Sequence, residues 1–256
     1  ARTRAHVARR RAATPIETVQ AAARTRAAEG SLRPFAAALR RPGLAIIAEH
    51  KRRSPSAGSI REDLSLEEVV SAYQRGGAAA LSILTEEESF GGRLDDLGRA
   101  RSAAWLPILR KDFIVDPYQV PEALAAGADA ILLIVAALDV AELASLHELA
   151  RSLGLGVLVE VHDRAQLQVA ATLGPEMIGI NNRDLTTLQV DIGRTLDLLP
   201  EVPTGTLSVA ESGFRTPAEL ERLSAAGVDA VLVGEALMRA SDIEVACRAL
   251  AGPEQI

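Results

Sequence analysis

The chain has 256 residues, which is enough to bury a substantial core in one large α/β domain or in two small ones. A formal net charge of -6 argues against a general nucleic-acid-binding surface. With 48% hydrophobic but only 3% aromatic residues, the core should consist of alanine, leucine, valine and isoleucine, which suits helices packed on a parallel sheet. One cysteine, Cys247, rules out an intramolecular disulfide, and no apolar run reaches the ~18 residues of a membrane span, so we expect a cytoplasmic protein without a membrane segment.

The first 43 residues are predicted to form an N-terminal helical extension. Five arginines precede the first acidic residue, Glu17: Arg2, Arg4, Arg9, Arg10 and Arg11. A transit peptide has a similar composition. The alanine-rich stretch continues to Leu32 and Phe35 without a cleavage-like break, however, so we interpret it as a basic helical arm.

From residue 44 onward, short apolar runs alternate with longer amphipathic segments. The predicted strands are residues 44–49, 78–84, 106–111, 130–134, 156–160, 177–181, 207–211 and 230–233. The predicted helices are residues 66–75, 94–103, 117–126, 140–153, 164–173, 192–199, 217–226 and 235–251. This order predicts an α/β fold, a (β/α)8 TIM barrel over residues 44–256. A doubly wound open sheet is the alternative, but the chain has no linker for its crossover and no glycine-rich nucleotide fingerprint.

Polar residues follow the predicted strands at their carboxyl ends, where barrels of this class gather their chemistry. They are Glu49, Lys51, Thr85, Lys111, Asp112, Phe113, Glu160, His162, Asn181, Asn182, Arg183, Glu211, Ser212, Gly213, Gly234 and Glu235. Most strands begin instead with leucine, alanine or glycine, so these polar groups are not the scattered residues of ordinary turns.

Strand alternation predicts which of these residues face the barrel mouth, because side chains two apart share a face. The inward pairs are Glu49 with Lys51, Lys111 with Phe113, and Asn181 with Arg183. The outward residues are His50, Arg110, Asp112 and Asn182. The other three histidines are predicted to have no catalytic role: His162 lies in a turn at the rim, and His6 and His147 are exposed to solvent. No spacing in the chain resembles a metal site.

Two lysines and several carboxylates around one mouth support acid–base or Schiff-base chemistry. Backbone amides at Ser212, Gly213, Gly234 and Glu235 can face an anion, so a phosphate site is predicted after the last two strands. The residues alone therefore predict acid–base catalysis on a phosphorylated small molecule, without identifying that molecule.

Eight segments add a family resemblance. They read IAEHKRRSPSAG, LSILTEEESFGG, LPILRKDFIVDPYQV, ADAILLIVAAL, VLVEVHD, IGINNRDL, VAESG and AVLVGEALMR. In this order they resemble the strand motifs of indole-3-glycerol phosphate synthases. The resemblance implies a tryptophan-biosynthesis enzyme that converts 1-(2-carboxyphenylamino)-1-deoxyribulose 5-phosphate to indole-3-glycerol phosphate with loss of carbon dioxide and water. It implies no cofactor, and other enzymes of the pathway are candidate partners.

The resemblance also implies residue roles. Catalytic positions fall on Glu49, Lys51, Lys111, Glu160, Asn181 and Glu211. Substrate-binding positions fall on Ser54, Phe113, Leu132, Arg183, Ser212, Gly213 and Gly234, with the Glu235 amide beside them. Lys111 is implied as the general acid of ring closure, Lys51 as an aid to dehydration and Glu160 as a base or electrostatic partner. Asn181 and Arg183 are implied to orient the anthranilate ring and its carboxylate.

Three residues depart from the family pattern: His50, Arg93 and Phe214. Two other functions remain open at this point. A different phosphosugar enzyme, such as an isomerase, would turn over an Amadori-type substrate without releasing carbon dioxide. A non-catalytic barrel would bind a phosphorylated ligand without turnover.

Overall fold

The computed structural model describes residues 2–55, 58–61, 63–184, 187–214 and 216–252. Numbered in chain order, the strands are β1 (Ala45–His50), β2 (Arg53–Ser54), β3 (Gly58–Ser59), β4 (Ala80–Leu84), β5 (Ile108–Lys111), β6 (Ala130–Ile134), β7 (Gly156–Val161), β8 (Met177–Asn181), β9 (Leu207–Glu211) and β10 (Ala230–Val233).

The helices are α1 (Arg2–Ala13), α2 (Ile16–Ala28), α3 (Phe35–Leu39), α4 (Leu66–Arg75), α5 (Glu87–Phe90), α6 (Asp96–Ala103), α7 (Gln119–Ala126), α8 (Val140–Ser152), α9 (Arg164–Ala171), α10 (Gly193–Leu198), α11 (Pro217–Ala226), α12 (Glu235–Met238) and α13 (Ile243–Ala251). Turns of 3₁₀ helix cover Val135–Ala137 and Leu199–Glu201.

Eight parallel strands close into one barrel in the order β1-β10-β9-β8-β7-β6-β5-β4. Closure is made by β1, whose Ala45 pairs with Ala230 of β10 and whose Ile47 pairs with Ala80 of β4. The predicted (β/α)8 fold is therefore confirmed and the open doubly wound sheet is excluded. Helices α1, α2 and α3 precede the barrel, as predicted, and β2 and β3 form a separate antiparallel pair after β1.

The prediction of a single helix over residues 235–251 was wrong. Residues 235–251 form two helices, α12 and α13, instead of one. The Asp242 carboxylate accepts a hydrogen bond from the Val245 amide at 3.0 Å and so caps the start of α13. An N-cap residue has non-helical backbone angles, which is why a new helix begins at this point.

Local capping groups set the ends of several barrel helices. Ser65 caps α4 and Thr216 caps α11, and Pro217 occupies the first turn of α11, where its missing amide costs nothing. Gly127 and Gly227 end α7 and α11 with φ angles of 117° and 91°, a region that disfavours other residues. These signals explain why the sequence located these helices well.

The core has two layers, as the strand period of two requires. Ile47 and Leu109 point into the barrel, whereas Ile46 and Ile108 pack between the strands and the helices. Phe35 of α3 joins the inner cluster beside the strand starts, so α3 closes the amino-terminal end of the barrel. Within the described ranges, no helix combines the length and the apolar character needed to cross a bilayer.

The predicted exposure of His147 was wrong. The side chain is buried on the stripe of α8 that also contains Leu143, Leu146 and Ala150, and burial lowers its pKa below the ordinary histidine value. The helical period puts residues three and four apart on one face, so this burial was readable from the sequence. His6 is also less solvated than predicted, since its ring bonds Glu88 at 2.7 Å.

A buried carboxylate joins the extension to the barrel. Asp129, just before β6, accepts hydrogen bonds from Arg26 of α2 at 2.8 Å and from Arg101 of α6 at 3.0 Å. It also accepts the amide of Ile108 at 2.9 Å. Its side chain is 0% exposed, whereas those of Arg26 and Arg101 are 9% and 19% exposed, so one fully buried carboxylate faces two arginines.

We expect Asp129→Asn to lower the free energy of unfolding by about 3–5 kcal/mol, because removing one member of a buried ion pair leaves uncompensated charge. Urea unfolding at neutral pH measures this. The matched control is Glu201→Gln, which breaks a solvent-exposed pair with Arg164 and should cost about 1 kcal/mol or less. Equal losses in the two variants would contradict the assignment of Asp129 as the buried hub.

Candidate active site

A cavity of about 1130 Å³ opens at the carboxyl ends of the barrel strands. Every residue that the sequence assigned to the site lines it: Glu49, Lys51, Ser54, Lys111, Phe113, Leu132, Glu160, Asn181, Arg183, Glu211, Ser212, Gly213, Gly234 and Glu235. The structure therefore brings the predicted residues together, while their individual roles remain predictions. The walls combine apolar side chains with a few converging charges, which is typical of small-molecule sites.

Lys111 lies at the centre of the charged groups. Its Nζ atom is 3.3 Å from a carboxylate oxygen of Glu160 and 3.3 Å from one of Glu211. The lysine side chain is 15% exposed and each glutamate side chain only 1%, so the cluster meets solvent mainly through the lysine. An ammonium in this position is the group that a ligand entering the cavity would meet.

Electrostatics set different protonation states for the three groups. Burial would lower the pKa of Lys111, but Glu160, Glu211 and Glu49 outweigh it and hold that pKa above its ordinary value. Burial would raise the pKa of Glu160, but Lys111 and His162 favour the ionised form and lower it to about 2. Burial raises the pKa of Glu211 to about 8 against the opposing effect of Lys111, with Glu160 adding to the rise. The cluster therefore favours an ammonium at Lys111 and an ionised Glu160, and Glu211 holds its proton to a higher pH than an ordinary carboxyl group does.

Asn181 connects this cluster to Arg183. The Asn181 side-chain amide donates to Glu160 at 3.1 Å, and its oxygen accepts the backbone amide of Arg183 at 3.0 Å. The Arg183 guanidinium reaches the carbonyl of Leu188 at 3.0 Å and lines the cavity with its remaining donors. A planar guanidinium at a cavity wall is suited to bind a carboxylate through two parallel hydrogen bonds.

Glu49 and Lys51 form the second charged group. Lys51 Nζ donates to Glu49 at 2.8 Å, and the Tyr73 hydroxyl donates to the backbone carbonyl of Glu49 at 2.9 Å from behind the strand. The pair packs against Gly234, where a Cβ atom would overlap the Glu49 carboxylate and lie 3.1 Å from Lys51 Nζ. The ammonium therefore lies directly beside the Gly234 backbone.

The turn after β9 is the other part of the predicted phosphate site. Ser212 and Gly213 have φ angles of 69° and 98°, and the Asn182 side chain donates to the Ser212 carbonyl at 3.2 Å. A Cβ atom at Gly213 would overlap Val190 from the preceding loop. This turn and the Gly234 backbone both border the cavity. The Lys51 ammonium lies between the Glu49 carboxylate and the Gly234 backbone.

Gly179 is a site residue that the sequence analysis missed. It lies in the middle of β8, and a Cβ atom there would overlap a carboxylate oxygen of Glu211. A glycine inside a strand often marks a close approach by another group, so the signal was present. The absent side chain leaves the space that Glu211 needs beside Lys111.

The outward residues follow the predicted alternation. Arg110 and Asn182 are 0% exposed and bond to groups in the helix layer, and burial lowers the pKa of His50 to about 4. Asp112 bonds Arg110 behind the strand but also borders the cavity. His162 bonds Gln166 of α9, as a rim histidine would, although its Nε2 atom is also 3.3 Å from Glu160.

Other cavity residues carried no clear sequence signal. They are Ser89 and Phe90 of α5, Leu188 and Val190 of the loop after β8, and Arg239 after α12. Their positions depend on loop paths that periodicity does not predict. Of the departures from the family pattern, Phe214 borders the cavity, whereas Arg93 is exposed and is not among its lining residues.

Sequence comparison identifies close relatives. A family profile described as indole-3-glycerol phosphate synthase matches residues 1–250. The chain is 52% identical over 226 residues to indole-3-glycerol phosphate synthase 2 of Streptomyces coelicolor, covering 88% of each chain. It is 48% identical over 239 residues to indole-3-glycerol phosphate synthase of Mycobacteroides abscessus, covering 93% of this chain and 87% of that one.

Solved structures with low sequence identity share the fold. A 3-hexulose-6-phosphate synthase from Salmonella typhimurium matches with a TM-score of 0.64 at 16% identity, over 81% of this chain and 97% of that one. A thiamine phosphate pyrophosphorylase from Pyrococcus furiosus matches with a TM-score of 0.61 at 20% identity, over 81% and 93%. At these identities the likeness supports the barrel architecture alone.

The raised pKa of Glu211 predicts a pH dependence of stability. Between its ordinary value near 4.5 and about 8, the folded state holds a proton that the unfolded chain has released. The free energy of unfolding should therefore fall as the pH rises through this window, by at most about 1.4 kcal/mol per pH unit for one proton. Urea unfolding of the wild type and of Glu211→Gln, at several pH values from about 5 to 8, measures this contribution as the difference between the two curves.

Glu160 and Lys111 titrate outside that window. The lowered pKa of Glu160 contributes stability that is lost only as the pH falls from 4.5 toward 2. The raised pKa of Lys111 contributes stability that is lost only as the pH rises above 10.5. Parallel curves for the wild type and Glu211→Gln would show that Glu211 ionises normally.

Proposed function

Because this chain belongs to the indole-3-glycerol phosphate synthase family, we propose that its barrel mouth performs the family's reaction with the residues assigned above. These enzymes are carboxy-lyases of tryptophan biosynthesis that act on a phosphorylated small molecule. Ring closure of the carboxyphenylamino-deoxyribulose phosphate forms the new carbon–carbon bond, and carbon dioxide and then water leave to give indole-3-glycerol phosphate.

The observation that carries the proposal is the Lys111 ammonium between Glu160 and Glu211. Its raised pKa keeps it protonated, so it begins the cycle as an acid. We assign to it the proton that the substrate carbonyl oxygen takes up as the aromatic carbon attacks. Negative charge grows on that oxygen only during attack, so a fixed ammonium there stabilises the transition state more than the bound substrate.

Arg183 and Asn181 are assigned to orient the aromatic end of the substrate. Arg183 would bind the carboxylate through paired hydrogen bonds until carbon dioxide leaves. Phe113 and Leu132 face the same cavity and would pack against the ring. Binding energy that holds the ring and the carbonyl in an attacking geometry offsets the entropy lost in ring closure and so lowers the barrier.

Lys51 and Glu160 are assigned to the dehydration that follows. Lys51 is held by Glu49 and would assist the departing hydroxide, while the ionised Glu160 would accept a proton or stabilise positive charge. Glu211, whose pKa is raised by burial, would hydrogen-bond substrate hydroxyls or the lysine.

The phosphate is assigned to the site formed by the Gly234 and Glu235 amides, the Ser212 and Gly213 turn, and Ser54. The Lys51 ammonium beside Gly234 supports this, because a cation next to backbone amides favours a dianion. This arrangement would link the phosphate end of the substrate to the lysine used in dehydration.

The remaining assignments follow from the family. We assign residues 1–43 to the helical extension and residues 44–256 to the catalytic barrel, working in the cytoplasm without a cofactor and without nucleic acid. Other enzymes of tryptophan biosynthesis are candidate partners, since they supply the substrate and consume the product.

The test of this function is turnover by the wild type and by Lys111→Ala. Mixing the wild type with the substrate should produce indole fluorescence and carbon dioxide together. The alanine variant should lose turnover by about 10²–10⁴, the usual contribution of a general acid, while still binding the product. Fluorescence and gas release give the rates, and product titration gives binding.

Three outcomes would contradict it. Near-normal turnover by Lys111→Ala would remove the general acid. Wild-type conversion of the substrate without carbon dioxide would indicate an isomerase, and wild-type binding without any turnover would indicate a non-catalytic barrel.

Arg183→Ala should mainly weaken substrate binding. Loss of a charge-assisted contact worth about 1.5–3 kcal/mol should raise KM by roughly 10- to 100-fold while kcat changes little. The KM of Arg183→Lys should fall between those of the wild type and Arg183→Ala, because lysine keeps the positive charge but not the paired donors of the guanidinium. Arg164→Ala, on the exposed surface, is the matched control. An unchanged KM for Arg183→Ala would remove Arg183 from the carboxylate site.

A further inference from the structure

Arg110 is a fully buried arginine directly behind the central lysine. It is 0% exposed and its guanidinium bonds four partners. These are the Thr85 hydroxyl at 3.1 Å, the Gln119 carbonyl at 3.2 Å, Glu122 at 2.9 Å and Asp112 at 2.9 Å. None of the reaction steps above uses this group.

The partners of Arg110 hold the segment that follows Lys111. Asp112 accepts the Phe113 amide at 2.8 Å and the Thr85 hydroxyl at 2.7 Å. The Gln119 side chain donates to the Phe113 carbonyl at 3.0 Å. The backbone around Phe113 is therefore anchored at both its amide and its carbonyl by groups that contact Arg110.

The chain of charges continues to the N-terminal extension. Glu122 of α7 also accepts Arg10 of α1 at 2.7 Å, so charges alternate from Arg10 through Glu122 and Arg110 to Asp112. The Glu122 and Asp112 side chains are each 5% exposed. The α1 helix is thereby linked to the strand end that carries Lys111.

We propose that Arg110 is a positioning residue for the reaction: held between Asp112 and Glu122, it fixes the strand end so that Lys111 meets the substrate in the reactive geometry. This inference rests on the proposed function. Arg110 does not touch the substrate and acts only through its neighbours.

Energetics favour this role over a purely stabilising one. Desolvating several charges offsets most of the attraction between them, so apolar residues of similar volume would serve stability as well. Fixed geometry is what the network provides, because a planar guanidinium with several bonds admits one orientation. A displacement of 1 Å at a catalytic group can cost about 100-fold in rate.

The experiment measures kcat and KM for three variants. Arg110→Lys keeps the charge but loses the fork, and Thr85→Val keeps the shape but removes the hydroxyl shared by Arg110 and Asp112. Arg10→Met removes the ion pair with Glu122 at the outer end of this series of charges. We expect kcat to fall by up to about 100-fold in Arg110→Lys and by about 10-fold in Thr85→Val, with KM nearly unchanged. Arg10→Met should show a smaller fall in kcat.

Two controls separate positioning from stability. Arg4→Met removes another ion pair of α1, with Glu142, that is outside this chain of charges. Asp129→Asn destabilises the barrel at its opposite end without touching the mouth. Both should retain the wild-type kcat per folded molecule, with folding followed by circular dichroism.

A thermodynamic cycle completes the test. If Arg110 and Thr85 act through Lys111, Thr85→Val should lower kcat in the wild type but have little further effect in Lys111→Ala. Equal losses in both backgrounds, or wild-type kcat in Thr85→Val and Arg110→Lys, would overturn the inference while leaving the function intact. An inactive wild type would overturn the proposed function and the inference with it. Should Arg110→Lys fail to fold, Thr85→Val and the cycle still decide.

Discussion

Alternation along the barrel strands is the constraint on which the rest of this structure depends. Each residue at the mouth is followed or preceded by one that faces the helix layer. Where both are polar, both must be satisfied: Lys111 meets carboxylates in the mouth while Arg110 meets carboxylates behind it. Asn181 and Asn182 repeat the pattern, with Glu160 on one side and Thr195 on the other. The mouth is thus supported by a second polar layer that the strand period creates.

Close approach of like charges is the second constraint. Glu160 and Glu211 share one ammonium in a site that water barely reaches, so burial and the neighbouring carboxylate together raise the pKa of Glu211. The approach requires space, which Gly179 leaves for Glu211 and Gly234 leaves for Glu49. Two residues without side chains therefore make room for two of the carboxylates that line the cavity. Any side chain at either position would have to displace a carboxylate.

Much of this arrangement could be predicted from the sequence. The bounds of β6, β8, β9 and β10 match the apolar runs, because buried strands that end in polar turns have sharp sequence limits. Their alternation then places the predicted residues around one mouth. The split between α12 and α13 was missed because both halves are compatible with one helix until Asp242 turns its carboxylate to the backbone. Leu188 and Val190 could not be predicted, since the path of their loop depends on contacts with Gly213, far along the chain.

The basic N-terminal helix shows the limit of composition as a guide. The sequence predicted a basic helical arm but not its contacts: His6 and Arg10 lie four apart on one face of α1 and meet Glu88 and Glu122 on the barrel. The two acids differ in burial, because the Glu122 side chain is 5% exposed and that of Glu88 is 49% exposed. Glu88 belongs to α5, whose next residues border the cavity, and Glu122 belongs to the network behind Lys111. A helix outside the barrel thus contacts two elements that flank the mouth. The role of its polar residues could not be predicted from the sequence, because their acidic partners lie far along the chain.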